Sequence, residues 1–253
     1  MLKFFNLEGK LALITGGGSG LGRTMSLALS EAGAEVIVAG RRINKLESVV
    51  KEINAKGRDA FSIELDVQEE TSIKETLEKV KIMDKKIDIL VNNSGISGPA
   101  WAVEQEIEDW DKVINTNLRG TFLMCREVGK SMIERKNGSI INIASVAGMV
   151  GVQKLAAYSS SKGGIIQLTK TLSQEWAKFG IRVNALAPGY FLTDLNRDFF
   201  STELGQKMIE NHIPLNRIGL DHELSGAIIF LASEASSFMT GSTLVIDGGQ
   251  SSL

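Results

Sequence analysis

The sequence predicts an α/β fold, one doubly wound parallel sheet of about seven strands with helices on both faces. Three observations carry this. Short apolar runs recur along the 253 residues, and most are continuous and rich in β-branched side chains, as strands covered on both faces should be. Segments with helical apolar spacing separate these runs. No low-complexity linker or internal repeat divides the chain, so residues 1–253 are expected to form a single domain.

In order, the expected strands are LALI (11–14), EVIVA (35–39), AFSIEL (60–65), IDILVN (87–92), SIINIA (139–144), RVNALA (182–187) and TLVID (243–247). The first intervening segment sets Leu21, Met25, Ala28, Leu29 and Ala32 on one helical stripe, and Gly33 is a natural stop. One stretch breaks the rhythm. YFLTDLNRDFFSTELGQKMIENHIP, residues 190–214, is long, aromatic and partly helical, and is expected to act as a lid over a pocket.

Composition narrows the function. With 43% hydrophobic residues the chain can bury a large core. Its 28 basic and 30 acidic residues leave a formal charge of −2, which provides no field for a polyanion, so nucleic acid is not an expected partner. Cys125 is the only cysteine, which rules out an intrachain disulfide and suits a reducing cytoplasm. Its setting, GTFLMCREV, reads as a packed helix. The N-terminal stretch lacks a signal-like apolar core, and the longest charge-free run, NGSIINIASVAGMVGVQ, is too broken by polar residues and glycine to span a membrane. A cytoplasmic protein without membrane segments is expected. His212 and His222 lack metal-ligand spacing, so no metal is expected, and the acidic run from Glu104 to Asp111 reads as a solvated helix entrance.

ITGGGSGLG follows the first strand directly and opens the first helix. Gly16, Gly20 and Gly22 allow a tight turn and close approach of backbone to a pyrophosphate, whose charge a helix N-terminus favours. In this strand–turn–helix context the pattern signals a dinucleotide site. At the end of the second strand an NAD site usually carries an acid for the ribose 2′-hydroxyl; this chain has Gly40, Arg41 and Arg42. A guanidinium there suits a 2′-phosphate, so NADP(H) is expected over NAD(H), with Arg41 as the residue assigned.

Tyr158 stands four places before Lys162 in AYSSSKGG, a spacing that puts both on one helical face. Together with TGGGSGLG (15–22), LDV (65–67), NNSG (92–95), NTNLRG (115–120), Ser145 in NIASVAG, APG (187–189) and IDGG (246–249), this pair resembles the short-chain dehydrogenase/reductase family over essentially the whole chain. Ser94 departs from the alanine more usual there. The resemblance implies a Rossmann fold, a dinucleotide-binding and catalytic domain, and a catalytic group of Asn117, Ser145, Tyr158 and Lys162. For the cofactor it implies Gly16, Ser19, Gly20, Leu21 and Gly22 at the turn, Asp66 and Val67 on the adenine side, Asn93 and Gly95 along the cleft, and Pro188, Gly189 and Thr193 at the nicotinamide end. It also implies a homotetramer, with the long helices after Asp109 and Tyr158 packing across subunits.

The chemistry these groups would perform is hydride transfer between a secondary alcohol and a ketone. A phenol can protonate the oxygen as it forms, but poising a tyrosine of pKa about 10 near neutrality needs ~4 kcal/mol. One ammonium ~4 Å away at an effective dielectric near 20 supplies about that much, and Lys162 is expected to provide it, helped by the positive nicotinamide of the oxidised cofactor. Ser145 is expected to orient the carbonyl, and Asn117 to hold a water that links Lys162 to solvent.

Two subgroups resemble the chain: sugar-acid dehydrogenases of the gluconate 5-dehydrogenase type and 3-oxoacyl-carrier-protein reductases. FNLEGKLALITG and APGYFLTDL resemble the first, but NNSGISGPAW lacks the basic residues that often follow this motif there, which argues against an anionic substrate. Trp101, Tyr190, Phe191, Phe199 and Phe200 would suit a less polar ketone if they face the pocket. Against the carrier-protein reading, Arg126, Lys130, Arg135 and Lys136 form only a modest basic cluster, which reads as a solvated helix end rather than a docking patch. A nicotinamide-redox sensor without turnover is the reading of another class, and a pure binder would have no use for Tyr158.

Overall fold

The computed structural model describes residues 2–193 and 196–252. All seven expected strands are present, with ends moved by one or two residues. In chain order the elements are β1 (Leu11–Thr15), α1 (Gly20–Glu31), β2 (Glu35–Gly40), α2 (Ile43–Ala55), β3 (Ala60–Glu64), α3 (Glu70–Ile82), β4 (Ile89–Asn92), α4 (Ile107–Ile114) and α5 (Gly120–Arg135). There follow β5 (Gly138–Ile143), α6 (Ala156–Trp176), β6 (Ile181–Pro188), α7 (Arg197–Phe200), α8 (Glu203–His212), α9 (Ser225–Ala232) and β7 (Thr243–Ile246). Every neighbouring pair is parallel, in the order β3-β2-β1-β4-β5-β6-β7.

The strands are readable as unbroken apolar runs because both faces are covered. Alternate residues of β1 enter opposite layers. Ala12 and Ile14 pack with Met25 and Leu29 of α1, Val49 of α2 and Ile228 and Leu231 of α9. Leu11 and Leu13 pack with Ile73 of α3, Leu123 and Met132 of α5 and Leu172 of α6. The stripe predicted on α1 is the face that is buried. The helix stops where expected, with Ala32 at its C-cap and Gly33 at φ +110°.

After β3 the chain crosses back past β1 to lay down β4, so the strand order reverses between β1 and β4. In such sheets the ligand crevice opens at the carboxyl ends of the strands at this switch point. A buried polar string ties the strands flanking it. Asn92 Nδ2 donates to Asn142 Oδ1 (2.9 Å) and to Cys125 Sγ (3.2 Å), and Asn142 Nδ2 donates to Thr169 Oγ1 (2.9 Å). Cys125 is therefore a packing residue, and burial pushes its thiol up to about 12.

The 190–214 segment carries α7 and α8 on a small core of its own, with Asp194 and Leu195 outside the described residues. Phe200, Ile209 and Ile213 are buried there against Tyr190, Met208 and Ile218. Tyr190 and Phe200 meet edge to face at 5.6 Å, and Phe191 is buried in the main core against Gly219. The aromatics of this segment are thus mostly packing residues; Phe199 and Trp101, 42% and 46% exposed, face outward.

Candidate active site

The glycine turn sits at the β1 carboxyl end, held to β4 by side-chain hydrogen bonds. Asn93 Nδ2 donates to the carbonyls of Thr15 and Gly16, both at 3.1 Å, while Thr15 Oγ1 accepts from the N–H groups of Asn93 and Ser94. Gly22 has no room for a side chain, since a Cβ there would lie 2.3 Å from the Gly16 carbonyl oxygen. Gly16 and Gly20 take φ of +64° and +51°. No side-chain cap covers the start of α1, which leaves its first N–H groups for an anion. A narrow backbone cradle followed by an uncapped helix start fits a dinucleotide pyrophosphate.

The two arginines after β2 divide. Arg42 reaches over the turn, and its Nη2 donates to Ser19 Oγ at 3.0 Å. Arg41 turns toward Asp66, with 3.9 Å between Nη1 and Oδ2. Asp66 also accepts the Gln68 N–H (3.0 Å), which shapes the adenine-side loop around the buried Val67. Arg42, named in sequence beside Arg41 but not chosen, is thus the guanidinium in contact with the phosphate-binding turn. Thr193 faces Gly20 across a cleft of about 440 Å³ that Arg23, Asp221 and His222 also line. Pro188 ends β6, and the Gly189 N–H donates to the Ile246 carbonyl (2.9 Å).

The other candidate residues converge on the carboxyl ends of β4 and β5. Ser145 lies just past β5, where its Oγ accepts the Ala147 N–H (3.2 Å) and its hydroxyl bonds the Tyr158 phenol. Tyr158 and Lys162 share one face of α6, with Nζ 5.6 Å from the centre of the tyrosine ring. Lys162 is 4% exposed, and Nζ donates to the Ile143 carbonyl at 2.6 Å. Gly95 packs against this group; a Cβ there would lie 3.7 Å from Nζ and 3.3 Å from Asn117 Oδ1.

Asn117 occupies a π-helical turn, Asn115–Arg119, between α4 and α5. Its Oδ1 accepts the Ile96 N–H (2.9 Å), and Nδ2 donates to the Ile96 carbonyl (2.9 Å) and to Ser161 Oγ (3.0 Å). Both amide hydrogens are committed, so the side chain anchors the loop after β4 to α6 and retains only acceptor capacity on Oδ1 for a water.

Electrostatics depart from expectation at one point. Burial lowers Lys162 to about 8, and burial raises Tyr158 above its ordinary value, with the Ser145 bond pulling the other way. Burial is the largest cause of both shifts and holds each group toward its neutral form. The Lys162 ammonium lies over the ring face and is aimed at the Ile143 carbonyl rather than at the phenolic oxygen.

Within the chain, a short-chain dehydrogenase family model matches residues 10–204. A 3-oxoacyl-(acyl-carrier-protein) reductase of Thermotoga maritima is 42% identical over 243 residues, covering 96% of this chain and 98% of that one. A 2-dehydro-3-deoxy-D-gluconate 5-dehydrogenase of Dickeya dadantii is 38% identical over 250 residues, 98% of each. Among solved structures, a gluconate 5-dehydrogenase from Burkholderia cenocepacia, in complex with NADP and tartrate, superposes with a TM-score of 0.95 at 38% identity, covering 100% of this chain and 99% of that one.

The lysine makes a measurable prediction. Its native pKa of about 8 lies below the ordinary 10.5, so between these values the unfolded chain binds more protons and stability rises with pH. Denaturant titrations should show native stability climbing by up to about 3 kcal/mol from pH 8 to 10.5. The Lys162→Met variant should lack that rise; an identical slope in both proteins would place the titration elsewhere.

Proposed function

The chain belongs to the short-chain dehydrogenase family, and from that premise we propose that it interconverts a secondary alcohol and a ketone using NADP(H), on a small-molecule substrate of the sugar-acid type. The observation that carries this reading is the convergence of Ser145, Tyr158 and Lys162 beside the glycine cradle. The cofactor, when bound, supplies the hydride for the carbonyl carbon or accepts it from the alcohol. Tyr158 gives its proton to the carbonyl oxygen, or takes it back in the oxidative direction. Its upward shift keeps it protonated through neutral pH. Ser145 bonds the same oxygen and orients it. Lys162, fastened to Ile143, presents positive charge beneath the phenol and its remaining donors to a ribose. Asn117 holds the loop after β4 in register with α6.

NADP(H) is supported by the lack of an acid after β2 and by Arg42 standing over Ser19. The chain works as one cytoplasmic domain over residues 1–253, with 190–214 as its lid; among the described residues no helix is long and apolar enough to cross a membrane. It assembles as a homotetramer, consistent with Phe122 of α5 standing 41% exposed. Light scattering on the purified protein tests this.

The second reading, reduction of a 3-oxoacyl group on a carrier protein, draws on the Thermotoga relative. Against it stands the basic cluster, three of whose four cations are paired within the protein, with Lys136 left exposed. Arg126 pairs with Glu70 and Glu127, Lys130 with Glu127, and Arg135 with Asp88. An acidic carrier would meet a mostly neutralised surface.

NADPH oxidation with 5-ketogluconate, an acetoacetyl thioester, a diketone and an aryl ketone separates these readings, and turnover of the thioester alone would favour the second. In Tyr158→Phe, cofactor affinity should hold while turnover falls about 10²–10⁴-fold, and near-normal turnover would remove Tyr158 from the chemistry. Arg42→Asp should raise NADH affinity relative to NADPH by about 10-fold or more, and Arg41→Asp by less. An unchanged ratio in both variants defeats the 2′-phosphate assignment.

A further inference from the structure

The loops that leave β4 and β5 meet at the mouth of the site. The Ala100 N–H donates to the Lys154 carbonyl at 2.9 Å, and Ala100 pairs in a parallel bridge with Leu155. This clamp sets Trp101 beside Lys154, with Nζ 4.9 Å from the centre of the indole, within cation–π range. Lys154 stands four residues before Tyr158, on the segment that enters α6.

Two features make this lysine more than a solvated surface charge. Its backbone takes φ +63°, a region that side chains with a Cβ rarely enter. Asp84 and Lys136 share that geometry, but each follows a helix, where a left-handed residue is an ordinary terminator. Lys154 precedes one and lies in the turn that the Leu155 N–H closes on the Val152 carbonyl (3.4 Å), so the turn fixes the loop that carries it. Moreover, among the described residues no carboxylate pairs with its ammonium; the indole face is its partner. A cation held against a ring on one side keeps N–H donors free on the other.

We infer that Lys154, backed by Trp101, is a specificity-determining residue that binds a carboxylate of the substrate at the cleft mouth. The ligand class is a small polyhydroxy acid or keto acid, and this rests on the reading of the site as one for alcohol–ketone interconversion. The cation that the NNSGISGPAW stretch lacks is thus supplied by the neighbouring loop. A carboxylate on the open side of the ammonium forms a charge-assisted hydrogen bond, while the indole covers the lysine stem.

The test compares ligands that differ only in carboxylate versus hydroxymethyl. Gluconate and sorbitol are titrated calorimetrically into the protein with NADPH, and 5-ketogluconate and L-sorbose are compared as substrates. Gluconate should bind about 10-fold or more tighter than sorbitol. In Lys154→Gly that ratio should fall toward one, while Lys154→Arg should retain it. Glycine accepts φ +63° without strain, so a loss in this variant is not a folding defect. A wild-type ratio near one, or a ratio unchanged in Lys154→Gly, overturns the inference. Lys154-dependent gluconate binding with no reduction of either ketose would instead uphold the carboxylate site and defeat the proposed reaction.

Discussion

Everything in the site depends on the reversal of strand order between β1 and β4. Because the chain builds β2 and β3 on one side of β1 and returns to build β4 on the other, the loops after β1 and β4 diverge and leave a crevice. The protein keeps that crevice in one shape with polar ties rather than apolar packing. Asn93 bonds the glycine turn from the β4 side, and the Asn92–Asn142–Thr169 string joins β4, β5 and α6 beneath it. Buried amides are costly unless satisfied, so these ties specify a single register for the strands that carry the reactive groups.

The same logic governs the reactive group. A lysine at 4% exposure would be expelled from an ordinary core; here the Ile143 carbonyl and the tyrosine ring hold it. Its lowered pKa and the raised pKa of Tyr158 both arise from dehydration, each group resisting its charged form. Burial thus holds both groups toward their neutral forms. Asn117 contributes by geometry: the π-helical turn lets its amide bridge Ile96 and Ser161, fastening the β4 loop to α6.

The loops around the site carry its remaining aromatic and charged side chains. The aromatic residues that seemed to promise an apolar pocket mostly stabilise the 190–214 segment or the main core, leaving Trp101 as the aromatic surface at the mouth. Its contact with Lys154 sets a cation against that ring. Around Arg126 most of the basic charge is paired internally, with Glu70, Glu127 and Asp88.

How much of this was legible in sequence follows from the range of the interactions. Seven strands could be read because each is buried on both faces and so spells a continuous apolar run. The glycine turn and the Tyr158–Lys162 pair were also readable, since a tight turn and one helical turn are local geometries that fix residue types within a few positions. Arg42 over Ser19, the commitment of the Asn117 amide, the inward packing of Phe191 and Phe200, and Lys154 against Trp101 were not. Each joins positions that local periodicity does not relate, and a side chain's direction there is set by which loops the sheet brings together. The sheet, the glycine cradle and the Tyr158–Lys162 spacing follow from local sequence; where the charges and rings around them point follows from the fold, because only the folded sheet puts the β4 and β5 loops within contact distance.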